Sequence, residues 1–362
     1  MVSQARGWCL IGVVILGWGS VAAAQPAAST RSLEIDFIDV MGGAATLLVT
    51  PDRESVLIDS GWPGFDDRDP QRIVRVLKDL AGCDHLDHLV TTHWHRDHFG
   101  GVAGLARRIR INHFWDRGLP EDGDPRLDFP DGPQPDDPLG RAYRAASQGK
   151  RKALRAGDSL PLKGQGVRAL VLASGGEVID PVRRLGRARD LPMNPLCNDA
   201  PPDQAPDRSD NARSLALLFT LDQFQFFDAG DLTWNIEKKL VCPVDLIGRV
   251  DLYQVTHHGM DNSNHPTLVR TIAPTVAIMN NGPRKGGAAA TVKLLRSIPS
   301  IEAAYQLHRN VATSPADNTE ASLIANMDEA GGRIIRVVVE AEGSNFTVQI
   351  GEDGPRRRFT SR

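Results

Sequence analysis

From Leu33 the chain alternates apolar and polar positions with the period of two that lays one face of a strand against a core: Leu33, Ile35, Phe37, then residues 45–49 and 55–58. Gly42-Gly43 and Pro51-Asp52 interrupt these runs, so two or three antiparallel strands are expected at the start. The period then changes. Ile73, Val74, Val76, Leu77 and Leu80 recur at helical spacing, and Gly82 ends that helix. A strand is expected at residues 86–91, and Val102, Leu105, Ala106 and Ile109 predict another helix.

The second half repeats this grammar. Residues 215–221 and 224–227 read as paired strands, 236–240 as helix, and 250–255 as a strand ending in two histidines. A strand at 275–279, a helix at 292–298 and a closing strand pair at 334–339 and 346–350 follow. Strands and helices alternating in two similar halves predict an α/β sandwich with its helices outside. Residues 116–140 and 180–210 are rich in Pro and Asp and read as long surface loops of the kind that serve as lids or binding loops. Between them Arg141, Arg144, Lys150, Arg151, Lys152 and Arg155 fall on a predicted helix, as a solvated face or a support for an anionic substrate.

Residues 1–24 differ in kind. Arg6 precedes an apolar run from Trp8 to Trp18, and Ala22-Ala23-Ala24-Gln25 offers the small side chains a signal peptidase accepts. The run is broken by Gly and Ser and falls short of the roughly 20 apolar residues of a membrane span. A cleaved leader, a periplasmic or secreted protein and no stable membrane anchor are therefore expected, with residues 25–362 forming the folded domain. Of the 362 residues, 41% are hydrophobic and 24% charged, which excludes a coiled coil, collagen or a small disulfide scaffold. A formal net charge of -3 lacks the positive field a duplex nucleic-acid binder needs. Export leaves Cys83, Cys197 and Cys242 where disulfides persist. Cys197 and Cys242 both sit near prolines in loop-like sequence and are the candidate pair; three unpaired thiols are the alternative.

The densest chemistry is His93-Trp94-His95-Arg96-Asp97-His98, directly after a predicted strand. Imidazoles with a carboxylate suit a borderline or hard divalent cation, zinc or manganese. One ion cannot easily use all four groups. Alternate residues of an extended loop share a side, so His93 and His95 converge on one ion while Asp97 and His98 turn toward a second. Three further strand ends carry candidates: Leu57-Ile58-Asp59-Ser60-Gly61, Ala229-Gly230-Asp231 and Val255-Thr256-His257-His258-Gly259. Taken alone, Asp59 and Asp231 are equally good turn residues. His257 and His258 are adjacent and point apart, so one direct ligand is expected, assigned to His257; His258 is left to substrate or to a supporting hydrogen bond.

Together these motifs resemble the signature of the metallo-β-lactamase-fold hydrolases, in order, over essentially all of residues 25–362. The resemblance implies a four-layer αββα sandwich with two divalent ions at one edge. His93 and His95 would hold the first, Asp97, His98 and His257 the second, and Asp231 would bridge them, with Asp59 orienting a ligand from behind. One departure is informative. Three-histidine versions of the first site take an imidazole from a segment before the bridging Asp, yet no His lies between His113 and His257. In its place stands Ser209-Asp210-Asn211-Ala212-Arg213-Ser214-Leu215, which resembles the Asn-x-x-Ser-Leu segment of the ComEC-like branch and marks Asn211 and Ser214 as site candidates. A first site short of one imidazole should hold its ion less tightly.

Two cations roughly 3.5 to 4 Å apart share a hydroxide and stabilise charge on attacking and leaving oxygens. The expected activity is exported, dinuclear hydrolysis of a phosphoester or another small ester, with Asp97 counted among the catalytic groups. A lactonase or β-lactam hydrolase, and a metal-stabilised binding protein without turnover, are the alternatives. A redox role is disfavoured, because flavo-di-iron reductases carry Glu where His95 stands. Choice of substrate falls to the rim. Asn281, Arg284 and Lys285, in Asn280-Asn281-Gly282-Pro283-Arg284-Lys285, offer an anion grip or an ordinary basic turn. His308 is a candidate proton donor to the leaving group, and Trp94 and Trp115 a candidate apolar wall.

Overall fold

The computed structural model describes Met1 and residues 32–119, 131, 132, 134, 136–164, 166–186 and 191–362. The expected leader therefore lies outside the described residues except for Met1, as does much of the first long loop. The chain opens with β1 (Leu33–Phe37), β2 (Thr46–Val49), β3 (Ser55–Ile58), β4 (His85–Thr91), β5 (Arg110–Asp116) and β6 (Arg151–Ala153). A second series follows: β7 (Val167–Ser174), β8 (Glu177–Val178), β9 (Ala216–Leu221), β10 (Phe224–Asp228), β11 (Leu252–Gln254), β12 (Val276–Met279), β13 (Ala303–His308) and β14 (Ile324–Asn326). The chain then returns to the first sheet with β15 (Ile335–Val339), β16 (Asn345–Ile350) and β17 (Arg356–Thr360).

Sheet order is β17-β16-β15-β1-β2-β3-β4-β5-β6 in one sheet and β14-β13-β12-β11-β10-β9-β7-β8 in the other. Neighbours are antiparallel from β17 to β3 and parallel from β3 to β6, and parallel again from β10 to β14. The alternating positions foreseen in β1 all turn inward: Leu33, Ile35 and Phe37 meet Leu217, Phe219 and Phe226 in the core between the sheets. Phe37 stands edge-on to Phe226 with centroids 5.9 Å apart, tying one sheet to the other.

Helices cover both outer faces. The first sheet carries α1 (Arg68–Arg75), the short α2 (Arg96–Phe99), α3 (Val102–Ala106) and α4 (Pro138–Ser147). A separate apolar cluster joins Ile73, Leu105 and Tyr143 to Leu47, Leu57 and Leu89 on that face. The second sheet carries α5 (Pro181–Leu185), α6 (Trp234–Lys239), α7 (Pro266–Ile272) and α8 (Ala289–Arg296), with Leu268, Val269, Val292 and Leu295 packed on Tyr253 and Ala277. The layers run helix, sheet, sheet, helix, as an αββα sandwich.

Two local readings change. The basic stretch 141–155 is not one helix: Asp137 caps α4 by accepting from Leu139 N, α4 ends at Ser147, and the chain resumes as β6. Residue 148 leaves helical geometry and Gly149 takes φ +73, which turns the chain. The second long loop contains α5 and is anchored, because Cys197 is disulfide-bonded to Cys242; Cys83 is free.

Candidate metal centre

The loops that follow β3, β4, β10 and β11 converge at the carboxyl ends of these strands. β4 delivers Thr92 to the end of β3, where Asp59 accepts from Thr92 N at 2.8 Å and from its hydroxyl at 2.7 Å. Beyond it His93 and His95 occupy the turn into α2, and Asp97 and His98 stand on that short helix. From the other sheet Gly230, at φ +52, presses so closely on Thr92 that a Cβ would meet the threonine side chain at 2.8 Å. Only glycine fits that approach, and it places the next residue, Asp231, between the sheets.

Asp231 Oδ2 is the focus. The Nε2 atoms of His98, His258, His257 and His93 lie 3.1, 3.3, 3.5 and 3.9 Å from it. Two groups of ligand-type atoms form around it, each with all members within 4.8 Å of one another: Asp97, His98, Asp231 and His258, and His93, His95 and Asp231. Within the first, His98 and His258 Nε2 stand 3.2 Å apart and each is 3.3 Å from Asp97 Oδ2. Ring orientation is set from behind. His98 Nδ1 faces Asp59 Oδ2 at 2.7 Å and His258 Nδ1 faces the Asn280 carbonyl at 3.2 Å, so the Nε2 atoms turn toward Asp231.

Electrostatics agree with a cation site. Burial, reinforced by the neighbouring His98, holds the His93 imidazole well below its usual pKa, and its Nε2 is buried without a hydrogen-bond partner among the described residues. A neutral imidazole with an unclaimed lone pair is a metal ligand in its binding form. Burial opposes charge on Asp97 and Asp231, yet the surrounding imidazoles outweigh it and keep both carboxyls well below their ordinary range. Burial likewise opposes a charged His98, but Asp231, Asp97 and Asp59 overcome it and push that imidazole well above its usual value. Without a divalent cation the site must hold a proton to balance its carboxylates. These nitrogen and oxygen donors fit a pair of divalent ions.

Of the histidine pair, the expected ligand His257 and its neighbour His258 both face Asp231, at 3.5 and 3.3 Å, but only His258 stands in a group of ligand-type atoms. His258 joins Asp97, His98 and Asp231, whereas His257 belongs to neither group and packs between Ser263 Oγ (3.1 Å) and Asn211 Nδ2 (3.4 Å). The cause is backbone. Both histidines take φ +54, and this left-handed turn sets how each ring faces Asp231. Ser214 Oγ accepts from Asp231 N at 3.3 Å. Lys285 reaches the cluster, pairing with Asp97 and lying 5.1 Å over the Trp62 ring.

Other candidates fall away from the centre. His308 is fully buried and turns its Nε2 to Asp39 Oδ1 at 2.7 Å, in a cluster completed by Arg72 and Gly332 N, so it is placed as a structural partner rather than a proton donor. Asn281 spends its amide on the His308 and Gly282 carbonyls. Arg284 pairs with Glu329 at the surface. Trp94 packs on Phe99 and Tyr143, and Trp115 donates to His88 Nδ1; both are core residues rather than a substrate wall.

Several contributors carried no advance signal. Asp210 accepts from Trp94 N and pairs with buried Arg117, bracing the metal loop from the Asn211 segment. His95 Nε2 meets Asp131 of the long loop at 3.1 Å. Trp62 follows Gly61 directly, and an aromatic beside a candidate strand-end motif was the one available hint.

Residues 38–184 match the family model of the metallo-beta-lactamase superfamily. Among solved structures, CmlA, a diiron beta-hydroxylase from Streptomyces venezuelae, aligns at 14% identity over 71% of this chain and 46% of its own, with a TM-score of 0.36. A mutant of the same hydroxylase aligns at 16% over 79% of this chain and 53% of its own, with a TM-score of 0.42. This chain thus spans about half the length of those proteins. A candidate metal-dependent hydrolase from Parabacteroides distasonis aligns at 14% over 75% and 91%, with a TM-score of 0.39.

Proposed function

Because the chain belongs, through residues 38–184, to the metallo-beta-lactamase superfamily, we propose that it is an exported dinuclear metal-dependent hydrolase of the ComEC-like branch. Its substrate is a phosphoester or another small ester. The observation that carries this reading is the sharing of Asp231 by two groups of ligand-type atoms. His93 and His95 with Asp231 would hold one divalent ion, and Asp97, His98 and His258 with Asp231 the other; zinc is the expected metal and manganese the alternative. Two bound ions supply Lewis acidity and lower the pKa of water from about 16 toward 7.

The chain's own groups do the rest. Asp59 and the Asn280 carbonyl hold the imidazoles in register, so the donors need little rearrangement when the reacting charge develops. Lys285, propped over Trp62, puts a cation beside Asp97 at the cluster's edge. A phosphoester carries negative charge on its non-bridging oxygens throughout displacement, and a fixed ammonium serves that charge better than it serves a neutral carbonyl. His257 and Asn211 lie across Asp231 and offer polar contacts to a substrate oxygen.

The decisive experiment loads purified protein with zinc or manganese and assays bis(p-nitrophenyl) phosphate, nitrocefin and a lactone panel. Turnover of the diester supports this reading; turnover of lactones or nitrocefin alone moves the substrate class. Two bound ions with no turnover make the protein a binder. Asp231→Ala should lose both ions, and retention of two by elemental analysis defeats the shared-ligand assignment. Export is tested by sequencing the N-terminus of protein recovered outside the cytoplasm, with cleavage after Ala24 expected.

A further inference from the structure

β1 and β13 belong to different sheets, yet the buried pair Asp39 and His308 joins them where β13 ends and just past the end of β1. Asp39 Oδ1 faces His308 Nε2 at 2.7 Å and accepts from Met41 N at 2.8 Å. Its Oδ2 accepts from Gly332 N at 2.6 Å and from Arg72 Nη1 at 2.8 Å, so both oxygens of the carboxylate are fully engaged. Each member of the pair continues into a loop of the metal centre. Beyond Asp39, Met41 and Gly42 take φ +57 and +84 and turn the chain so that Ala44 N donates to the Asp97 carbonyl at 3.1 Å. Beside His308, the buried Asn281 donates its amide to the His308 carbonyl at 2.7 Å. The residue before it presents the carbonyl that faces His258 Nδ1, and Gly282 N donates to the Lys285 carbonyl at 2.9 Å, folding the turn that sends Lys285 to Asp97. The two loops pack backbone to backbone: a Cβ on Gly282 would meet Gly42 Cα at 2.9 Å.

We propose that Asp39 and His308 are positioning residues for the metal centre. Pinning residues 280–285 from one sheet and residues 41–44 from the other, the pair holds the Asn280 carbonyl behind His258 and the Lys285 ammonium beside Asp97. Neither residue belongs to a metal-ligand group, so the effect travels through Asn281 and the packed backbones. The inference deepens the dinuclear reading and rests on it: the second ion and the grip on an anionic substrate both depend on a contact between the sheets that touches neither. A pair that merely stabilised the sandwich would lower the urea midpoint without singling out one ion.

Zinc titrations of the purified full chain against a chromophoric chelator test the proposal. His308→Met should weaken one of the two ions about tenfold and leave the other unchanged. His308→Gln, whose amide can donate to Asp39 in place of Nε2, should restore the parent affinity. In His258→Ala the path through Asn280 is already cut, so adding His308→Met should change nothing further. Asn281→Ser breaks the same path and carries the same expectations if circular dichroism finds His308→Met unfolded. On bis(p-nitrophenyl) phosphate, His308→Met should lower kcat/KM about tenfold in the parent and leave Lys285→Gln unaffected. A parent inactive on that diester retires the phosphoester reading, while the zinc titrations still decide this one. The proposal is overturned if His308→Met binds both ions as the parent does, or if it weakens zinc binding in His258→Ala just as much. It is equally overturned if its loss on the diester adds in full to that of Lys285→Gln.

Discussion

Asp59 holds His98 by its far nitrogen, Oδ2 to Nδ1 at 2.7 Å, while the near nitrogen faces Asp231 at 3.1 Å. The imidazole is therefore a rigid spacer between two buried carboxylates, one from each sheet. Replacing Asp59 by Asn leaves the shape but removes the charge that orients the ring. We expect the second ion to bind some 10- to 100-fold more weakly, measured by competition against a chromophoric chelator, with circular dichroism unchanged. Unaltered affinity would mean that His98 needs no such support.

The two neighbouring histidines should separate cleanly. His258→Ala is expected to release one ion per chain in elemental analysis, whereas His257→Ala keeps both and loses turnover. The opposite pattern would return the ligand role to His257.

Lys285→Gln should lower kcat/KM for a charged diester by about tenfold or more, each tenfold being about 1.4 kcal/mol. A neutral lactone should be turned over with little change. Equal losses on both substrates would point to damage at Asp97 instead of lost attraction for the anion.

Stability should fall as pH rises, for a reason lying beneath the histidine turn. Burial pushes Glu237 up to about 7 from an ordinary value of 4.5, despite the hydrogen bond it accepts from His265 N. Between those values the folded state retains a proton that the unfolded chain has released. The contribution is complete below 4.5 and disappears as pH climbs through about 7. Asp228, raised by burial to about 7, acts with the same sign. Urea midpoints from pH 5 to 8 should therefore decline in the parent and decline less in Glu237→Gln. A parallel decline in both would clear Glu237 of the effect.

The sandwich and most of the metal loop were legible because periodicity and spacing are local. Leu33, Ile35 and Phe37 announce an inward face, and four ligating side chains within six positions need no knowledge of the rest of the chain. What sequence could not supply was direction. His257 and His258 differ only through a left-handed backbone that the following glycine completes at φ +79. His308 ends a strand as a catalytic residue might, but its partner Asp39 lies 269 positions away and appears only when the sheets are assembled. Lys285 and Arg284 were indistinguishable as neighbours; one found Asp97 and the other a surface glutamate. Short strands such as β6 and β8 exist through pairing rather than propensity, so no pattern announced them.

The first strand made is among the last to be completed. β1 lies between β2 and β15, and Arg336 reaches back to Asp36 across 300 residues of sequence. A ribosome must therefore add 300 residues after Asp36 before the larger sheet can close. Such distant pairing slows folding and leaves β1 without its second neighbour until β15 has been made.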